Sequence, residues 1–93
     1  MVCDSRRKIK SLEEVAIIAA KAREAGKSII LCHGVFDLVH LGHVRHFQKA
    51  REEGDILIAT LTKEEHVNKG PGRPVFNGSM RAEMLAALEH VDW

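Results

Sequence analysis

Cysteine, excess charge and long apolar runs are what this chain of 93 residues has little of. Its two cysteines, Cys3 and Cys32, fit none of the CxxC spacings that mark zinc or redox sites, so reduced thiols and a cytoplasmic location are expected. Fourteen Lys and Arg against thirteen Asp and Glu leave a formal charge of +1, which argues against bulk DNA or RNA as a partner. No apolar run approaches the roughly 18 residues needed to cross a bilayer, and the N-terminus lacks the apolar centre of a secretory signal, so no membrane partner is expected. Neither GxGxxG nor GxxxxGK(S/T) occurs, which disfavours a dinucleotide oxidoreductase and a P-loop ATPase. Internal repeats are absent as well.

What remains is the composition of one small globular domain, 45% hydrophobic and 29% charged. Residues 1–10 read as an N-terminal tail in which Arg6, Arg7, Lys8 and Lys10 are solvated charges, and residues 11–93 as the domain. Ser11 to Glu14 match a capping box ahead of apolar residues at helical spacing, predicting a helix over 12–25 that Gly26 ends. A short apolar run at 28–32 predicts a strand covered on both faces. From Leu41, the residues Val44, Phe47 and Ala50 form one helical face until Gly54, and a second strand follows at 56–61.

Strand, helix and strand in that order form a βαβ unit with a right-handed crossover and parallel strands. Lys63 to Val67 suit a helical turn, and residues 68–78, holding both prolines and three glycines, a loop. Asn77 or Ser79 would cap a third helix running to His90, with Met84, Leu85 and Leu88 inward. Val91 to Trp93 read as the start of another strand.

Three of the six histidines and two of the seven glycines fall within "HGVFDLVHLGH", residues 33–43. This stretch leaves the carboxyl end of the first strand and enters the next helix, where parallel α/β sheets hold their ligands. A helix N-terminus offers unpaired N–H donors and partial positive charge, Gly34 and Gly42 allow close approach, and histidines add directed donors that are strengthened by protonation. His40 and His43 fall about 300° apart on the helix, near enough to grip one polyphosphate. Two other readings stay open: histidines that are merely exposed at helical spacing, and a metal site drawn from Asp37, His40, His43 and His46, although a three-residue step makes His46 a poor partner for Asp37.

"GVFDLVHLGH" resembles GxFDxxHxGH, the signature of the nucleotidylyltransferase superfamily, at Gly34, Phe36, Asp37, His40, Gly42 and His43. "KGPGRPV" at 69–75, Arg81, "LAALEHVDW" at 85–93, "GD" at 54–55 and the lead-in "IKSLEE" are similar to the adenylyltransferase domain of ADP-heptose synthase and related sugar-phosphate nucleotidylyltransferases. The resemblance implies an α/β fold with a Rossmann-like, doubly wound parallel sheet. It also implies transfer of a nucleotidyl group from ATP or CTP, with Mg2+, to a phosphorylated small molecule and release of pyrophosphate.

By the same resemblance, Gly34, Val35, Phe36, Asp37, His40, Gly42 and His43 bind the nucleotide. His40 and His43 are the catalytic pair, Asp37 orders the loop, and Lys69, Arg73 and Arg81 meet the acceptor phosphate. The substrate supplies its own nucleophile, so catalysis would be positioning and charge stabilisation. His33 stands where the heptose branch has Asn, His46 where it has Tyr, and Thr60 to Lys63 depart from its Asn-Ser-Asp run. The family's domain continues past the "VDW" point, often beside a sugar-kinase domain, so the chain is expected to be truncated at its C-terminal side, with a homodimer or a fused kinase as partner. Cytidylyl transfer to an alcohol phosphate such as glycerol 3-phosphate, or a nucleotide-binding module without a reaction, are the alternatives.

Overall fold

A computed structural model describes residues 4–63 and 77–93. Helix α1 spans Leu12–Glu24, and its start is the predicted capping box: Ser11 Oγ accepts from Glu14 N–H while Glu14 accepts from Ser11 N–H. Gly26 ends it at φ 76°, and the N–H groups of Gly26 and Lys27 close back on the carbonyls of Arg23 and Ala22.

Strand β1 (Ile29–Gly34) and strand β2 (Ile56–Leu61) are parallel and paired in register from Ile29 with Ile56 to Gly34 with Leu61. Between them runs α2 (Leu41–Arg51), completing the βαβ unit of an α/β fold. Asp55 ties the two strand starts together by accepting from Ser28 N–H at 2.9 Å, and this bond holds its carboxyl below the usual carboxylate range.

Two expectations about β1 are corrected. The strand runs to Gly34, so His33 and Gly34 belong to the sheet; pairing with Thr60 and Leu61 extends it, and Thr62 N–H closes it on Gly34 O at 3.0 Å. Nor is β1 covered on both faces among the described residues: Leu31 is 64% exposed, while its neighbour Cys32 packs on the core.

Helix α3 (Gly78–Ala86) is capped by Asn77, whose side chain accepts from Met80 N–H at 2.8 Å. It stops well short of His90. A continued helix would carry Val91 away from the sheet; instead turns bring Val91 to 2% exposure in a core with Phe47, Leu57 and Leu85. Val91 to Trp93 form no full strand, yet they lie beside β2: Asp92 N–H donates to Leu57 O, Ala59 N–H to Trp93 O, and Leu57 N–H to the Asp92 carboxylate. Arg51 at the end of α2 pairs with that carboxylate at 3.1 Å.

The basic run near the N-terminus is not simply solvated. Ser5–Lys8 form a 3₁₀ turn capped by Asp4, and Lys8 Nζ donates to Leu88 O at 2.9 Å and to Val91 O at 2.8 Å. Lys10 Nζ lies 5.5 Å from the Trp93 ring centre. Lys8 thus pins the segment that replaces the end of the expected helix. Lys8→Met keeps the aliphatic stem and loses both bonds, so urea denaturation should show a loss of about 1–2 kcal/mol after allowance for partial exposure. Unchanged stability would mean that the strap contributes nothing.

Candidate functional site

Gly34 ends β1 and leads into a loop whose geometry is set by Phe36. This residue sits at φ 50°, a left-handed conformation that costs a non-glycine residue energy and is held by packing. The packing is visible: the Phe36 ring lies 5.3 Å from the Phe47 ring and 5.8 Å, edge-on, from that of His43. It also covers Gly34, where a Cβ would stand 3.0 Å from Phe36 Cζ. A side chain at 34 would therefore push the aromatic ring off His43. Asp37 follows, 3% exposed.

Helix α2 then starts with a capping box made of two imidazoles. His40 is the N-cap, and its Nδ1 accepts from Gly42 N–H at 3.0 Å. The His43 ring reaches back, its Nδ1 accepting from His40 N–H at 3.2 Å. Ser, Thr, Asn or Asp usually does this work. Using histidine instead places two rings, centres 4.2 Å apart, at the positive end of a helix dipole and at the carboxyl end of a parallel sheet. The arrangement can direct ring and main-chain donors at an anion.

The structure thus gathers Gly34, Val35, Phe36, Asp37, His40, Gly42 and His43 into one strand-to-helix corner. His46 is exposed on α2 with its ring 5.7 Å from that of Phe47. Among the described residues, no group of three or more His, Cys, Asp or Glu side chains could hold a metal ion. Lys69 and Arg73 lie outside the described residues, as does the expected turn from residue 64.

Arg81 is not a solvated charge. It is fully buried, and its Nη1 donates to Val35 O at 2.8 Å and to Thr62 O at 2.9 Å. One side chain on α3 thereby fixes both the phosphate-loop candidate after β1 and the chain leaving β2. A second feature not anticipated is His33, whose Nδ1 lies 2.7 Å from Thr60 Oγ1 and whose Nε2 lies 3.4 Å from Thr62 Oγ1. The contact depends on the strand register, which sets His33 opposite Thr60. Cys32 is no ready nucleophile, since burial pushes its thiol pKa up.

A cavity of about 470 Å³ lies elsewhere, against Val15, Ala59, Leu85 and Trp93. Its lining is mainly apolar and contains no histidine, so it is not the site the motif forms.

A strand-to-helix corner of this kind lies where parallel α/β sheets hold their ligands. The chain belongs to the cytidylyltransferase-like family, whose model matches residues 31–93. It is 42% identical over 92 residues to the bifunctional protein HldE of Aliarcobacter butzleri, covering 97% of this chain and 19% of that protein. To the HldE of Sulfurimonas denitrificans it is 44% identical over 87 residues, covering 91% of this chain and 18% of that one. The chain spans about a fifth of the length of these curated relatives. No helix among the described residues is long and apolar enough to cross a membrane.

If Arg81 anchors the loop, Arg81→Met should destabilise the chain without any ligand, by about 2–4 kcal/mol for two buried carbonyls left without their donor. Urea denaturation measures this. A residue serving only a ligand phosphate would leave stability unchanged.

Proposed function

We propose that this chain is the nucleotide-binding part of a nucleotidylyltransferase that transfers AMP from ATP to a sugar phosphate. The observation that carries the reading is the His40–His43 pair at the α2 N-terminus, beside the close-approach glycines. An oxygen of the acceptor phosphate attacks the α-phosphorus, the bond from that phosphorus to the bridging oxygen breaks, and pyrophosphate leaves with the electron pair. Negative charge grows on the α-phosphate and on the leaving group, where imidazole and main-chain N–H donors stabilise it.

Gly34, Val35 and Phe36 shape the wall along the triphosphate. Lys69 and Arg73 supply positive charge for the acceptor, while Arg81, expected beside them, is fully buried and holds the loop through its carbonyl bonds. Magnesium favours oxygen cages. The described corner offers imidazoles, main-chain N–H groups and one buried carboxylate, Asp37, which is not such a cage. The ion would therefore arrive on the oxygens of the triphosphate. A fused sugar kinase fits the two functions that the relatives' name gives them.

Pyrophosphate release by the full-length parent enzyme tests the proposal, since the 93 residues alone are not expected to be active, with ATP and a sugar 1-phosphate compared against CTP and glycerol 3-phosphate. Release with the first pair is expected, falling by roughly 10²–10³ in a His40→Ala variant. Preference for the second pair would make the chain a cytidylyltransferase. Nucleotide binding with no release from either pair would favour a non-catalytic module.

A further inference from the structure

The cavity beside Trp93 shares no residue with the nucleotide corner, and its walls come from separate pieces of chain. The N-terminal segment supplies Ile9, Leu12 and Val15, α3 supplies Ala82 and Leu85, and Trp93 comes from the residues beside β2. These pieces are held together by the protein itself: Lys8 Nζ donates to the carbonyls of Leu88 and Val91, and Ala59 N–H donates to Trp93 O at 2.8 Å. At about 470 Å³, the space has the size of a small-molecule site.

Its chemistry is two-sided. Most of the lining is apolar, and Ile9 and Leu12 are 43% and 78% exposed, a surface that a ligand would withdraw from water. Every charged side chain that lines it among the described residues is a lysine: Lys8, Lys10 and Lys63. Glu14 interacts electrostatically with Lys10, but its carboxylate accepts from Ser11 N–H in the capping box and does not line the cavity. From an apolar space lined by lysines and by no carboxylate we infer that the cavity is a second binding site, for a small amphipathic monoanion with a carboxylate head and an unbranched alkyl tail.

The tail packs against Leu12, Val15, Leu85 and the Trp93 ring. The head falls to Lys63 and to Lys10, which is half-buried with its Nζ 5.5 Å from the centre of that ring. Lys8 is committed to its two carbonyls and shapes the wall. A single charge suits this lining better than a polyphosphate does, because few polar groups are present to replace the water that a highly charged group gives up. The inference goes beyond the nucleotide reading and stands whether or not the corner binds ATP.

Trp93 is the only tryptophan of the chain and lines the cavity, so its fluorescence reports occupancy. Octanoate is the probe. Titration should shift the emission saturably at one octanoate per chain, with each methylene added between hexanoate and octanoate tightening binding by up to about fourfold. Octanol has the same tail without the charge and should bind roughly 5- to 10-fold more weakly. Octanoate should weaken by a similar factor in Lys10→Met, which keeps an apolar stem and loses the ammonium. Ala82→Leu puts a larger side chain into the space on a helix that tolerates leucine, and should abolish binding. No saturable shift, octanol binding as tightly as octanoate, or undiminished binding by the Ala82→Leu chain would each overturn the inference. Calorimetry with the full-length parent adds a further arm: octanoate binding by the chain but not by the parent would mean that another part of the parent covers the cavity, and the site would be lost. An emission that changes with protein concentration alone would make a second copy the occupant, with the same consequence.

Discussion

The pair of cap bonds accepted by the His40 and His43 rings is the constraint on which the rest of the corner depends. It closes the amino end of α2 with two imidazoles, and so fixes where the helix begins and where both rings sit. His43 then offers the surface against which Phe36 packs edge-on, and that contact helps hold Phe36 in a left-handed conformation. Phe36 in turn occupies the space over Gly34, as His40 does over Gly42. The two glycines, the aromatic residue and the two histidines are one packing arrangement. Their spacing follows from which ring must lie over which backbone.

Charged residues far away in sequence support this corner from inside the fold. Arg81 reaches from α3 to carbonyls on both sides of the sheet's carboxyl end, joining the loop after β1 to the exit of β2. Lys8 performs a similar task on the other side, gathering the carbonyls of Leu88 and Val91 and holding the final residues beside β2. Both use a cation to satisfy main-chain acceptors that regular helix or strand leaves without a partner. A buried guanidinium is suited to this, because its donors are planar and fixed.

Local chemistry decides how much of this could be read from residues alone. The start of α1 and the bounds of β2 are legible because capping, glycine termination and an isoleucine-rich run act within a few residues. The corner at 33–43 is legible for a similar reason: its glycines, aromatic residue and histidines all lie within one turn and one loop. The extension of β1 to Gly34 depends on β2, and the early end of α3 depends on Lys8 and on the burial of Val91. Those are tertiary effects with no signature in the segment itself. Arg81 is the sharpest case, since a basic residue on an amphipathic helix gives no sign that it will be fully buried. The His33 contact with Thr60 also requires the register, which a strand pattern alone leaves free.

The account's central claim is that an anionic nucleotide docks on the strand-to-helix corner and not in the apolar cavity beside Trp93. Backbone amide shifts during titration of the ¹⁵N-labelled chain with ATP and magnesium test it most directly. The account predicts saturable shifts concentrated from Gly34 to Val44. Shifts centred instead on Val15, Ala59, Leu85 and Trp93, with the corner unmoved, would contradict it.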